Sequence, residues 1–132
     1  MGQSIVKKYA VGDEVFLPSG TVAPFSEAYI SGSLVFISGQ LAFDKYGELN
    51  GGKADEQTLI CLANIDRILS KIDLTAKDII KVTAWLTDPE DFADFNKAYV
   101  QYFGSHRPSR STVCSGLMLP GARVEIEAIA AV

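Results

Sequence analysis

The chain lacks the features that usually mark membrane proteins and secreted proteins. None of its 132 residues belongs to a hydrophobic run that approaches the roughly 18 consecutive apolar residues of a membrane span. Residues 1–9 contain no apolar signal-peptide core, and Val6 stands where N-myristoylation requires Ser or Thr. We therefore expect a cytoplasmic protein that does not associate with membranes.

Cysteine and histidine are scarce as well. The sequence has two cysteines and one histidine. Cys61 falls in a helical pattern and Cys114 in a strand pattern, so we expect both thiols to be reduced and buried. A nucleophilic Cys114 is the weaker alternative. His106 alone gives little support for a histidine metal site or a Ser-His-acid triad.

Positive charge is also in short supply. Twelve Lys and Arg face sixteen Asp and Glu, which leaves a net charge of −4. Nucleic-acid binding needs a basic face, so we consider nucleic acid an unlikely partner. Basic residues are nevertheless dense at His106, Arg107 and Arg110, and a small anion fits there. With 48% hydrophobic residues, residues 1–132 are expected to form one compact domain.

The hydrophobic pattern predicts elements in the order β-β-β-α-β-α-β-β. Alternation of apolar residues indicates strands, a 3.6-residue repeat indicates helices, and Gly, Pro and Asp mark their ends. The predicted strands are a first one around Ile5, Val6 and Tyr9, then 27–30, 34–38, 79–86, 111–117 and 123–132; the predicted helices are 55–72, a short capped turn from Thr75 to Asp78, and 88–104.

Two helices can cover only one face of such a sheet. Yet strands 34–38, 79–86 and 124–132 carry apolar residues on both faces. The uncovered face therefore has to be buried by something else, and self-association is the simplest solution. Trp85 and the aromatic stripe of the second helix (Phe92, Phe95, Tyr99 and Tyr102 or Phe103) are interpreted as core rather than as a stacking platform.

The last two strands carry the residues most suited to chemistry. Arg110 and Thr112 share one face of the first strand, and Glu125 and Glu127 share one face of the second. If these strands are neighbours, a guanidinium and a carboxylate reach one cleft. Arginine binds carboxylates bidentately, and a partly buried glutamate can act as a general base. The alternative for Arg110 is a structural ion pair with Glu125 or Glu127 at a subunit interface. The alternatives for Glu125 are a solvated carboxylate without a catalytic role, and Glu127 as the base in its place.

The C-terminal segment resembles a known family. Pro108-Ser109-Arg110-Ser111 is followed about a dozen residues later by Val124-Glu125-Ile126-Glu127-Ala128, as in the RidA family, also called YjgF/YER057c/UK114. Further similar segments are Ile37-Ser38-Gly39-Gln40, the helix with Asn64, Thr87-Asp88, and Phe92 with Asn96.

This resemblance implies a chorismate-mutase-like α+β fold with one sheet of about six strands and two helices on one face. It also implies a homotrimer with ligand clefts between subunits. Characterised members hydrolyse reactive 2-imino acids and their 2-enamino tautomers, such as 2-iminopropanoate and 2-iminobutanoate, to 2-oxo acids and ammonia. They use no metal or cofactor.

The resemblance also assigns roles to residues. Arg110 falls at the position that binds the substrate carboxylate, and Glu125 at the position that holds the attacking water. Ser38 and Gly39 match cleft-wall positions, and Asn96 matches a polar position on the second helix.

The sequence departs from the family at two positions. Phe25 stands where many members have a cleft tyrosine, and Thr112 stands where archetypal members have a cysteine. Thr112 can offer its carbonyl to the water and its hydroxyl to a ligand. The alternative to a hydrolase is a non-catalytic trimer that binds small carboxylates and regulates a partner.

Overall fold

A computed structural model describes residues 5–132, which build one six-stranded sheet. The predictions that concern the first four residues lie outside this range. The strands are β1 (Lys8–Val11), β2 (Ala28–Ser31), β3 (Leu34–Gln40), β4 (Ile79–Leu86), β5 (Ser109–Cys114) and β6 (Val124–Ala131), and their order across the sheet is β1-β2-β3-β6-β4-β5.

Both predicted helices are present and lie on the same side of the sheet. Helix α1 spans Ala54–Ser70 and α2 spans Phe92–Phe103, and they pack against each other. The apolar stripe of α1 is confirmed, because Cys61, Leu62, Ile65, Ile68 and Leu69 are fully buried. The buried side chains of β2, β3, β4 and β6 face this stripe and complete the core.

The start of α2 follows its sequence signals. Asp88 accepts a hydrogen bond from the Glu90 amide at 2.9 Å, and Pro89 occupies the first position of a 3₁₀ turn that runs into the helix. This satisfies one of the free amides at the helix start. Gly104 ends the helix with a positive φ of 63°. The predicted capped turn is also confirmed, since Asp78 accepts from the Thr75 amide.

The last two strands are not neighbours, so the condition under which they would bring Arg110 and Glu125 to one cleft is not met. Strand β4 lies between them, paired in parallel with β5 and antiparallel with β6. A helical crossover leads from β4 to β5 and places β5 beside β4 at the edge of the sheet. The long connection after β5 then takes the chain back to the sheet centre.

The uncovered apolar sheet face is confirmed. Tyr29, Phe36 and Val113 project from it with 48%, 43% and 41% of their surface exposed, respectively. Trp85 also lies on this open face and is only half-buried, so its assignment to the core is wrong. Its register partner on β6 is Glu125, and a residue in the core would not have a carboxylate beside it.

Some boundaries and burial predictions also need correction. The first strand begins at Lys8, and Ile5 and Val6 precede it and are exposed. Both cysteines are free, but only Cys61 is buried; Cys114 ends the edge strand β5 and is exposed. Phe92, the first residue of α2, is 45% exposed. In the described range, no helix is both long enough and apolar enough to cross a bilayer.

Candidate active site

Arg110 lies on the helix-covered side of the edge strand β5. Its register partner on β4 is Val82, a core residue, so both side chains point toward α2. The guanidinium carbon stands 4.7 Å from the ring centre of Tyr99 and 5.2 Å from that of Phe95. Phe92 provides a third ring at 5.8 Å. Cation–π contacts with these rings hold the positive charge at the sheet edge.

The guanidinium of Arg110 is available to an anion. Within residues 5–132 no carboxylate approaches it within salt-bridge distance. No ion pair joins Arg110 to Glu125 or Glu127 within these residues of one chain, and the alternative of such a pair at a subunit interface stays open. The hydroxyl of the neighbouring Tyr99 is buried without a hydrogen-bond partner in the described range, and burial raises the pKa of this phenol despite the opposing charge of Arg110.

Thr112 lies on the same strand as Arg110, and Asn96 lies on the helix whose rings contact Arg110. Thr112 is two residues farther along β5, on the same side, and is half-buried. Asn96 is half-buried on α2. It comes one turn after Phe92 and therefore lies on the same side of the helix as that ring. Cys114 continues the Arg110 and Thr112 row to the end of the strand. The edge of the sheet at α2 thus combines one cation with short polar side chains.

Glu125 lies on the opposite side of the sheet. It alternates on β6 with the core residues Val124 and Ile126 and therefore projects from the open face, as does Glu127. Partial burial raises the pKa of Glu125, and the negative charge of Glu127 adds to the effect. A carboxylate with a raised pKa holds protons more strongly and is a better general base.

Gly39 allows Glu125 to lie against strand β3. The pairing of β3 with β6 shifts between Ile37 and Gln40, which forms an irregularity at Ser38 and Gly39. A Cβ atom on Gly39 would stand 2.8 Å from a carboxylate oxygen of Glu125. Only glycine leaves the carboxylate this space. The hydroxyl of Ser38 donates to the Ser26 carbonyl at 2.6 Å and thereby holds the segment that precedes β2 beside β3.

A depression of about 460 Å³ opens next to these residues. Phe25, Tyr29 and Phe36 contribute three aromatic rings to its lining, and Ser38 and Glu127 contribute polar atoms. Phe25 is 50% exposed, so its ring is accessible from this side. The depression is bounded by β2, β3 and the loop that precedes β2.

The predicted site residues therefore form two groups. One group, on the helix side at the edge strand, contains Arg110 and Thr112, with Asn96 on the neighbouring helix α2. The other, on the open face, contains Phe25, Ser38, Gly39 and Glu125. Strand β4 and the thickness of the sheet separate the two groups. One chain cannot bring Arg110 and Glu125 to the same small ligand.

The sequence interpretation missed the other residues of the open-face group. Tyr29 and Phe36 are register partners across β2 and β3, and their alternation with buried residues would have placed them on the open face. Glu127 was considered only as a competing base, whereas here it lines the depression. Among residues 5–132 no three His, Cys, Asp or Glu side chains are grouped to hold a metal ion.

Comparison with known proteins identifies the family. Residues 18–132 match the model of the family described as Endoribonuclease L-PSP. A RutC family protein from Pyrococcus horikoshii is 40% identical over 110 residues, which cover 83% of this chain and 87% of that protein. The human 2-iminobutanoate/2-iminopropanoate deaminase is 34% identical over 112 residues, covering 84% and 82% of the two chains.

Solved structures share the fold. A protein of the conserved Rid family from Yersinia pestis, described as having unknown function, superposes with a TM-score of 0.85 at 31% identity. That match covers 96% of this chain and all of the other. The six-stranded sheet with two helices on one face is therefore the α+β fold expected from the resemblance. The chain belongs to the Endoribonuclease L-PSP family, which is the YjgF/RidA family.

Proposed function

We propose that this protein hydrolyses 2-imino acids and their 2-enamino tautomers to 2-oxo acids and ammonia, in clefts formed between the chains of a homotrimer. The observation that carries the proposal is the placement of a guanidinium with no carboxylate partner among residues 5–132 at one sheet edge and of a carboxylate with a raised pKa on the open face. The named activity of the human relative supports the same reaction class.

The two groups have complementary roles. Arg110 binds the substrate carboxylate with its planar fork, and its contacts with the α2 rings keep that fork oriented. Glu125 of an adjacent chain holds a water and takes its proton as the oxygen adds to the imine carbon. Thr112 and Asn96 contact the ligand beside Arg110, while Ser38, Gly39 and Phe25 form the wall beside Glu125.

Positioning supplies most of the rate enhancement in this mechanism. Acyclic imines hydrolyse unaided in water, so the protein needs only to hold the reactants in an aligned pair. The partly buried carboxylate is the stronger base, and the open sheet face excludes water once a second chain covers it. We place the reaction in the cytoplasm, as the sequence suggests.

Substitution of Arg110 tests the carboxylate role. We expect Arg110→Ala to abolish the acceleration of imine loss in an assay coupled to an amino-acid oxidase, because the substrate is no longer anchored. Arg110→Lys keeps the charge but loses the bidentate geometry, so it should retain a small fraction of the activity. An unaltered rate in Arg110→Ala would falsify the assignment.

Mixing of two inactive variants tests whether the site is shared. Arg110→Ala and Glu125→Gln chains, denatured and refolded together, should regain about a quarter of the wild-type clefts if each cleft takes one residue from each of two chains. Each variant refolded alone is the control. No recovery in mixed trimers that form normally would contradict the shared cleft.

A non-catalytic role is the second candidate. Thr112 and Phe25 favour it, because a cleft that lacks the thiol and phenol of its relatives can keep carboxylate binding without turnover. Calorimetric binding of 2-oxobutanoate with no acceleration of imine loss would support this candidate. The acidic composition opposes RNA as a substrate, and any RNA cleavage should disappear on further purification.

A further inference from the structure

A long polar side chain interrupts the buried stripe of α1. Gln57 lies one turn before Cys61 and is fully buried. A buried amide group costs free energy unless its polar atoms are paired. Here Nε2 donates to the carbonyls of Asn50 at 2.8 Å and Gly121 at 3.0 Å, and Oε1 accepts from the Arg123 amide at 2.8 Å. Gln57 therefore joins the helix to two segments that are far apart in sequence.

One of these segments leads directly into β6. Between the end of β5 and the start of β6, residues 115–123 contain no helix or strand. Arg123, the last of them, is held on both sides. Its N–H is bonded to Gln57, and its carbonyl accepts from the Thr87 amide, just after β4, at 3.1 Å. Helix α1 and the end of β4 thus fix the point at which β6 begins.

The start of β6 determines where Glu125 lies. Val124 and Ile126, on either side of it, are fully buried, and the Val124 carbonyl accepts from the Cys61 thiol at 3.7 Å. Because side chains alternate in a strand, fixing the backbone before Glu125 fixes the direction of its side chain. The carboxylate is thereby placed against Gly39, where a Cβ atom would stand 2.8 Å from one of its oxygens. So close an approach leaves little tolerance for a displaced backbone.

We propose that Gln57 is a positioning residue for Glu125: it holds the entry of β6 so that the carboxylate stays against Gly39, where it can hold the attacking water. This inference rests on the proposed function and adds a residue that does not touch the substrate. An amide suits the role, because the two carbonyls and one N–H that converge here need two donors and one acceptor on one side chain. The competing explanation is that Gln57 only stabilises the fold.

Gln57→Met tests the proposal, because methionine is also long and unbranched but makes none of the three hydrogen bonds. With the entry of β6 released, Glu125 is misplaced, and kcat should fall by at least about tenfold, since a displacement of about 1 Å can cost a hundredfold. KM should stay within about twofold of the wild-type value, because Arg110 still binds the substrate carboxylate. The substrate is the imine of 2-aminobutyrate, generated by an amino-acid oxidase.

The protonation of Glu125 gives a readout that does not depend on turnover. Partial burial raises the pKa of this carboxyl group, and the charge of Glu127 adds to the effect. Its other neighbours, Trp85 on β4 and Gly39 on β3, carry no charge. Release of β6 admits water, so the pKa should fall in Gln57→Met and the acid limb of kcat/KM should move to lower pH. An NMR titration of isotope-labelled glutamate carboxyl groups measures this pKa, with Glu125→Gln to assign the signal.

Ile68→Ala is the matched control. Ile68 is fully buried on the same helix, about three turns beyond Gln57. Its truncation leaves a cavity in the core, so it should lower the free energy of unfolding without changing kcat, KM or the acid limb. Gln57→Asn, whose shorter amide cannot make all three bonds, replaces Gln57→Met if that variant does not fold, and it should lower kcat as well.

The outcomes distinguish this inference from the proposed function. A lowered kcat together with a lowered Glu125 pKa in the Gln57 variant, and neither in Ile68→Ala, supports the inference. In an active enzyme, an unchanged kcat, an unchanged Glu125 pKa, or equal changes in the two variants overturns it and leaves the hydrolase intact. If the wild-type protein accelerates no imine loss, the hydrolase is overturned, and the titration alone decides whether Gln57 positions Glu125.

Discussion

At the scale of single residues, the surroundings of Glu125 raise the pKa of its carboxyl group. Partial burial and the charge of Glu127 raise its pKa, so a proton stays bound to a higher pH than on an ordinary glutamate. Under the proposed function Glu125 is a general base and must be deprotonated, so we expect activity to fall as the pH decreases through this raised pKa. The acid limb of the pH profile would then report on Glu125.

Glu127→Gln should move that acid limb to lower pH. The substitution removes a negative charge that disfavours the carboxylate form of Glu125, and the burial contribution remains. The measurement is kcat/KM for one imine across the acid range. Glu90→Gln, an exposed position at the start of α2, should leave the limb in place. A shift to higher pH in Glu127→Gln would contradict the assignment.

The sequence predicted which candidate site residues share a face of their own strand. Alternation along β5 and β6 correctly placed Arg110 with Thr112 and Glu125 with Glu127. It could not reveal that β4 lies between the two strands, because strand order depends on the crossover and not on the pattern within a strand. The rings beneath Arg110 were likewise predicted as core and not as its support.

At the scale of elements, the irregularity in β3 determines the space available to the Glu125 carboxylate. The pairing shift between Ile37 and Gln40 brings Gly39 against the Glu125 carboxylate. Such irregularities re-aim side chains near functional sites. The sequence Ser38-Gly39 indicated a cleft wall only through the family resemblance, because a glycine in a strand has several common explanations.

Gly39→Ala should reduce activity with little loss of stability. The new Cβ displaces the end of a flexible side chain and not the backbone, so the free energy of unfolding should change by less than about 1 kcal/mol. Displacing the base by about 1 Å can lower kcat by roughly a hundredfold. Imine turnover and urea unfolding measure the two effects.

Gly116→Ala is the control for this substitution. Nothing lies within 4 Å of the corresponding Cβ position, and the residue needs no positive φ. It should leave turnover unchanged. A large loss of stability in Gly39→Ala, with turnover reduced only in proportion, would show that the glycine serves the strand and not the base.

Helix signals were the most reliable part of the sequence. The stripe from Cys61 to Leu69 and the cap at Asp88 were both confirmed, since helical periodicity and capping are local. Burial was less predictable. Cys114 and Phe92 are exposed because they lie at the edge strand and at the first turn of α2, places that only tertiary packing defines.

Another buried feature was not anticipated from the pattern. Glu27 is buried at the start of β2, where Arg67 of α1 approaches it at 3.1 Å and Lys71 at 3.6 Å. Its backbone carbonyl accepts from the Ser38 amide. The ion pairs thus join α1 to the strands that carry the open-face group. Charged residues are rarely buried unless paired, and the pairing spans forty positions of sequence.

At the scale of the whole molecule, the open sheet face is the surface through which we propose that the chains associate. Tyr29, Leu34, Phe36 and Val113 form an exposed apolar surface. Surfaces of this kind mark interfaces. The proposed trimer covers this surface, and the clefts lie where its edges meet the sheet of the next chain.

Phe36→Lys should prevent the trimer. A lysine at the centre of the apolar face places a hydrated charge in the interface, while the single chain tolerates it because the position is already 43% exposed. Light scattering at micromolar concentration measures the mass. Tyr46→Lys, in an exposed loop away from the face, is the control. A wild-type protein that is monomeric at this concentration would contradict the proposal.

Because the sheet separates Arg110 from Glu125, the activity should depend steeply on the protein concentration. Under the proposed function a single chain carries Arg110 on one side of the sheet and Glu125 on the other, so it is inactive on its own. Output then depends on encounters between copies and rises more steeply than the amount of protein made. Halving the protein concentration near the dissociation constant of the trimer should therefore lower the total activity by more than half.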